Sequence, residues 1–162
     1  SVELLKEAKK NDCITTFDLI ATNEETINIV KPLLPFIDYF MPSIEEARDL
    51  SKLNDPKEIA KFFIDNGATN CVFTTGEEGS VFISEKEYIK TSAFDIDVVD
   101  TTGCGDAFDA GMITALVRGF DLEKSLKFAT ITSGLVATGL GSDAGIISYE
   151  DSIEKMNSIK QK

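Results

Sequence analysis

The chain has 162 residues, 43% hydrophobic and 27% charged, a length and balance suited to one globular domain with a sizeable core. Lys and Arg total 16 against 28 Asp and Glu, and the net charge of −12 argues against a duplex nucleic-acid partner, whose phosphates need a basic face. The absence of histidine excludes histidine catalysis and ligation, and three widely spaced cysteines suggest neither a disulfide framework nor a cysteine zinc site, so carboxylates are left as proton acceptors.

Along the chain no apolar run approaches a membrane span and the start carries no signal-peptide pattern, so the expectation is a soluble, cytoplasmic protein without a membrane partner. Leu4 to Lys10 reads as the end of a helix, and Cys13–Asp18 as a short buried strand. A helix is expected over roughly 23–34, then a strand near 38–41. A short helix follows Pro42-Ser43, with Ile44, Ala47 and Leu50 on one side. Asp55-Pro56-Lys57-Glu58 is a helix start: Asp caps, Pro takes the first position, Glu completes the box, and Gly67 closes the far end. That helix should bury Ile59, Phe62 and Phe63. The rhythm then becomes extended, with Cys71–Thr74, Ser80–Ile83 and Tyr88-Ile89 between Gly-rich or charged turns. From Gly105 it is helical again, with Phe108, Gly111, Met112, Ala115, Leu116 and Gly119 on one face. Asp121 caps a helix over 122–138, and Ser148 caps a final helix carrying Ile153, Met156 and Ile159. Strands alternating with helices imply a parallel sheet covered on both faces.

The run Asp100-Thr101-Thr102-Gly103-Cys104-Gly105-Asp106 sets small residues between acids where a helix begins. Glycines at 103 and 105 permit tight or left-handed backbone and leave the main chain open to a ligand. Free N–H groups and the helix dipole favour an anion there, whatever the sign of a distant, screened surface charge. Asp106 would repel a phosphate, yet it suits a base taking a proton from a hydroxyl that attacks phosphorus. The plainer alternative is an ordinary Gly-rich turn before a buried helix. Thr74-Thr75-Gly76-Glu77-Glu78-Gly79, after a hydrophobic strand, is a hairpin turn or a ligand loop at a strand end.

The string Asp-Thr-Thr-Gly-x-Gly-Asp-Ala-Phe-x-Ala-Gly over 100–111 resembles the C-terminal signature of the ribokinase-like (PfkB) carbohydrate kinases, with Cys104 in place of the commoner alanine. The resemblance implies Asp106 as catalytic base and Gly103, Cys104 and Gly105 as the anion hole for the transferred phosphoryl group. It implies Asp100 and Thr102 beside a monovalent cation such as K+. The Thr-x-Gly-x-x-Gly turn makes Thr74, Gly76 and Gly79 nucleotide contacts, and the glycine-rich 136–146 loop contributes Gly141. Met41–Ala47 is similar to the family's Asn-x-x-Glu element, with Ser43 at the asparagine position and Glu46 acting through Mg2+. A bare reading of Glu46 is a first-turn carboxylate favoured by the helix dipole. Cys104 reads either as a reactive thiol at a helix N-terminus or as a small stand-in for alanine.

The fold the resemblance implies is a three-layer αβα sandwich with a mostly parallel central sheet. Residues 1–162 would be the C-terminal nucleotide-binding and catalytic part of such a kinase domain, truncated at the N-terminus, without the lid and most of the sugar site, and inactive alone. The activity expected of the whole is transfer of the γ-phosphoryl of ATP, with Mg2+, to a hydroxyl of a small carbohydrate. Ribose, fructose, ketogluconate, nucleosides and sugar phosphates all fit the family, and a homodimer of the full-length protein is one assembly it allows. From other classes come a non-catalytic nucleotide-binding or oligomerisation module of the same fold, and a dinucleotide-binding Rossmann domain. The last lacks a Gly-x-Gly-x-x-Gly after the first strand.

Overall fold

The computed structural model describes residues 2–162. Its elements run α1 (Val2–Lys10), β1 (Thr16–Phe17), α2 (Thr26–Val30), β2 (Tyr39–Phe40), α3 (Ile44–Ser51), α4 (Pro56–Asp65), β3 (Asn70–Thr74), β4 (Ser80–Ile83), β5 (Tyr88–Thr91), α5 (Cys104–Val117), α6 (Leu122–Val136) and α7 (Tyr149–Ser158). The five strands form a sheet in the order β1-β2-β3-β4-β5. β1 and β2 are parallel with Thr16 opposite Tyr39, and β2 and β3 are parallel with Phe40 opposite Cys71. None of the described helices is long and apolar enough to cross a membrane.

By internal contacts the chain divides into two compact units, one comprising residues up to Thr74 together with Phe82–Ile89, the other Thr75–Val81 and Lys90–Lys162. The first unit buries Phe40, Ile59, Phe63, Cys71 and Phe73 completely. Phe40 packs on Phe63 at 4.7 Å between ring centroids. Burial pushes the Cys71 thiol up to about 12, so it behaves as a small hydrophobe. In the second unit Phe94, Ala115, Phe128, Ile131, Leu135 and Met156 form the core that holds α5, α6 and α7 together. Gly111 lets α5 and α6 meet closely: a Cβ there would lie 2.9 Å from the Ala129 Cα.

Four expectations are corrected. The helix over 23–34 is regular only across Thr26–Val30, followed by a 3-10 turn at Leu34–Phe36. Pro32 and Pro35 have no N–H to continue the ladder. Just before this helix, Asn23 Oδ1 accepts the Glu25 and Thr26 N–H groups at 2.9 and 3.0 Å. The buried strand over Cys13–Asp18 shrinks to Thr16–Phe17 at the sheet edge, with Cys13 and Ile14 exposed. Phe62 is half-buried rather than core, edge-on to Phe63. Gly119 lies outside the packed face of α5; its φ of 73° closes the helix, with the Phe120 N–H returning to the Ala115 carbonyl.

Candidate functional site

In the first unit, Ser43 and Glu46 form a reciprocal capping box at the start of α3. The Ser43 N–H and hydroxyl donate to Glu46 Oε2 at 2.9 and 2.7 Å, and the Glu46 N–H donates to Ser43 Oγ at 3.2 Å. Ser43 also bridges Thr74 in parallel pairing, so the start of α3 lies beside the end of β3. The box uses one carboxylate oxygen, and Oε1 stays outside it. Both readings of Glu46 therefore fit one side chain. Among the described residues no three acidic or cysteine side chains converge as a metal cage. The donor set suits magnesium, which takes one or two carboxylates and draws its other ligands from phosphates and water.

In the second unit, the Asp100–Gly105 turn is tied to the loop after α6. Asp100 Oδ1 accepts the Thr102 N–H at 3.0 Å and the Thr102 hydroxyl at 2.8 Å, while Oδ2 accepts the Gly141 N–H at 3.0 Å. The Thr102 N–H, then the Gly141 N–H and the Thr102 hydroxyl, hold the Asp100 carboxyl below its ordinary value, so it stays anionic. Gly103 sits at φ 80°, and a Cβ on it would come 2.3 Å from the Ser142 carbonyl oxygen. Asp100, Thr102, Gly103 and Gly141 are thus one locked assembly, with Ser142 a member that sequence reasoning missed. No motif announces Ser142, whose contribution is its main chain.

Gly105 differs from Gly103. It has no positive φ, and a Cβ on it would meet nothing within 4 Å. The Cys104 N–H turns back to the Thr101 carbonyl at 3.2 Å. The N–H groups of Gly103, Gly105 and Asp106 take no acceptor among the described residues. Asp106 is exposed in the first turn of α5, and its carboxylate has no hydrogen bond or ion pair among the described residues. The start of α5 therefore offers unpaired donors, an uncovered backbone and an uncommitted carboxylate side by side. Burial raises the Cys104 thiol, the Ser133 hydrogen bond offsets this in part, and the Asp100 charge raises it again. A thiol shifted upward fits the reading of Cys104 as a small residue standing in for alanine.

The Thr74–Gly79 segment joins β3 to β4. The Thr75 N–H donates to the Gly79 carbonyl at 2.8 Å, and Gly76 and Gly79 take φ of 57° and 107°. Gly79 is buried, where a Cβ would lie 2.0 Å from the Thr91 carbonyl oxygen, so packing alone accounts for glycine there. At Gly76 a Cβ would meet nothing within 4 Å. Thr75 occupies the variable position of the pattern, yet its Oγ1 is buried without a partner among the described residues. An orphaned hydroxyl and an uncovered glycine suit a site that receives a polar ligand such as a nucleotide.

A family profile described as pfkB family carbohydrate kinase matches residues 1–148. The ATP-dependent 6-phosphofructokinase of Thermoanaerobacterium thermosaccharolyticum is 28% identical over 164 residues, which cover 98% of this chain and 51% of that protein. A candidate ribokinase II from E.coli, solved in complex with ATP and Mg2+, superposes with a TM-score of 0.83 at 24% identity, covering 94% of this chain and 51% of the other. Arabidopsis thaliana ribokinase, solved with ribose and ATP, gives 0.86 at 23% identity, covering 96% and 51%. The chain spans about half the length of these relatives. The structural likenesses bear out the expected fold class, a three-layer αβα sandwich with a mostly parallel sheet. On the extent of the profile match, the chain belongs to the pfkB family of carbohydrate kinases.

Proposed function

We propose that this chain supplies the nucleotide-binding and catalytic part of an ATP-dependent sugar kinase, which moves the γ-phosphoryl group of ATP to a hydroxyl of a small carbohydrate. The observation that carries the reading is Asp106, an unpaired carboxylate one residue beyond a glycine with open space over it, at the start of a 14-residue helix. In this reading Asp106 accepts the proton of the attacking hydroxyl. The turn at Gly103, Cys104 and Gly105 receives the phosphoryl oxygens, with the unpaired N–H groups of Gly103 and Gly105 as donors and that of Asp106 joining them. Donors fixed before the reaction stabilise developing charge without reorganising, and the Asp100 lock fixes these. Thr74, Gly76, Gly79 and Gly141 line the nucleotide, Gly79 through the shape it gives the turn. Asp100, held anionic, and Thr102 are the side chains for a monovalent cation such as K+. Glu46 would hold magnesium through Oε1 or a bridging water, and the ion would neutralise charge on the phosphates. A cytoplasmic setting and a homodimer are parts of the same proposal.

Replacing Asp106 with Asn removes the base while keeping shape and size. In the full-length enzyme, turnover in an ADP-release assay with sugar acceptors should fall by roughly 10²–10⁴-fold, with ATP affinity nearly unchanged. Retained turnover would remove Asp106 from the role of base.

A further inference from the structure

Thr75 is tied at both backbone groups: its N–H donates to the Gly79 carbonyl at 2.8 Å, and its carbonyl accepts the Glu78 N–H at 3.2 Å. Its hydroxyl alone is unsatisfied, buried with no partner among the described residues. Buried polar atoms are nearly always paired, because an unmade hydrogen bond in a protein interior carries the full desolvation penalty. The residue is held where it is by a turn that cannot relax easily, since Gly79 is wedged against Thr91 and Ala93 with no room for a Cβ. On the other side, the space over Gly76 is open. A threonine side chain has staggered alternatives reached by one χ1 rotation, so a hydroxyl unpaired in the free protein can turn toward a ligand arriving over Gly76.

We infer that the Thr75 hydroxyl is a nucleotide-binding group, left unpaired in the free protein and paired by an oxygen of the bound nucleotide. The inference rests on the kinase reading above, and adds to it a residue whose side chain orients the nucleotide. The oxygen could belong to the phosphates or to the nucleoside, and separate probes distinguish the two. Thr75→Val removes the hydroxyl while keeping the β-branched shape, and Thr75→Ser keeps the hydroxyl.

Titration of the protein with MgATP should show Thr75→Val binding about five- to tenfold more weakly, with Thr75→Ser close to the parent. The same loss should appear with inorganic tripolyphosphate if the partner is a phosphate oxygen, or with adenosine if it is on the nucleoside. Without ligand, Thr75→Val should unfold at the same temperature as the parent or higher, because an unsatisfied group has been removed. If the parent binds MgATP and Thr75→Val binds it equally well, the hydroxyl is only a packing defect and the inference falls alone. If the parent itself fails to bind MgATP, the kinase reading falls and takes this inference with it. Should Thr75→Val not fold, Thr75→Ala serves in its place, and parental affinity in it overturns the inference equally.

Discussion

Two glycines two residues apart, both read from the sequence as parts of one anion turn, are placed by the structure in opposite physical situations. Gly103→Ala forces a side chain into φ 80°, which costs roughly 1–2 kcal/mol for an L-residue. It also drives a Cβ to 2.3 Å from the Ser142 carbonyl oxygen and 2.7 Å from its Cα, a backbone clash worth about 1–3 kcal/mol more. The expected loss is about 2–5 kcal/mol, which for a chain of this size lowers the unfolding midpoint by roughly 4–20 °C. Gly105→Ala, in helical backbone with open space at the Cβ, should instead gain about 0.5 kcal/mol, or roughly 1–2 °C. Turnover should fall in both, by about 10²-fold or more, because the new methyl at 105 covers the face where the phosphoryl group would sit. Thermal unfolding of this chain by circular dichroism, and coupled ADP-release kinetics of the full-length enzyme carrying each change, read the two quantities. A Gly105→Ala protein that is more stable and fully active would refute the placement of the phosphoryl group. A Gly103→Ala protein of parental stability would refute the lock between the turn and the loop after α6.

Glu46→Gln keeps a side chain able to complete the capping box, so stability should change by less than about 0.5 kcal/mol, while the Mg2+ concentration for half-maximal turnover should rise severalfold. An unchanged Mg2+ requirement would leave Glu46 with capping alone. Asp38 gives a pH-dependent contribution in the first unit. Burial raises its carboxyl, but the Lys9 ammonium at 2.6 Å and the Thr15 N–H and hydroxyl outweigh burial and hold it below the ordinary value. A depressed carboxylate adds stability that is present above the unfolded value near 3.9 and disappears as pH falls through the folded one. Asp38→Asn should therefore cost about 1–2 kcal/mol in urea unfolding at pH 7 and visibly less at pH 3. Equal costs at both pH values would mean that the carboxylate charge is not what holds the site.

Helix starts were legible because their chemistry is local. Asp55, Asp121 and Ser148 each accept the backbone N–H groups their positions predict, and Ser43 with Glu46 forms the full box. The failures came where a local pattern met a condition set elsewhere. The run at 23–34 has helical spacing, but Pro32 inside it deprives it of a donor, and a periodicity count does not see a missing N–H. Cys13–Asp18 has strand composition, yet an edge position leaves Cys13 and Ile14 exposed, and no sequence window encodes which strand lies at an edge. Gly119 matches the helical face by spacing, though it is the residue that ends the helix.

The site divides along the same line. The proposed roles of Asp106 and the glycines start from residue types at a spacing that suits phosphate chemistry. The reason each glycine is needed could not be read there, since at Gly103 it lies in the Ser142 main chain, some forty positions along, and at Gly79 in the backbone of residues 91–93. A turn fixed by such remote backbone contacts has little freedom to reshape around a ligand, so in the proposed reading its donors would already lie where charge develops. Rigidity of this kind is what the proposed anion hole would require, and Asp100 contributes to it by using both oxygens, one on Thr102 and one on Gly141 in the loop after α6. Asp106 stands outside that network. In the proposed reading, a base that must gain and lose a proton in each turnover needs a carboxylate free of such hydrogen bonds, and Asp106 has none among the described residues.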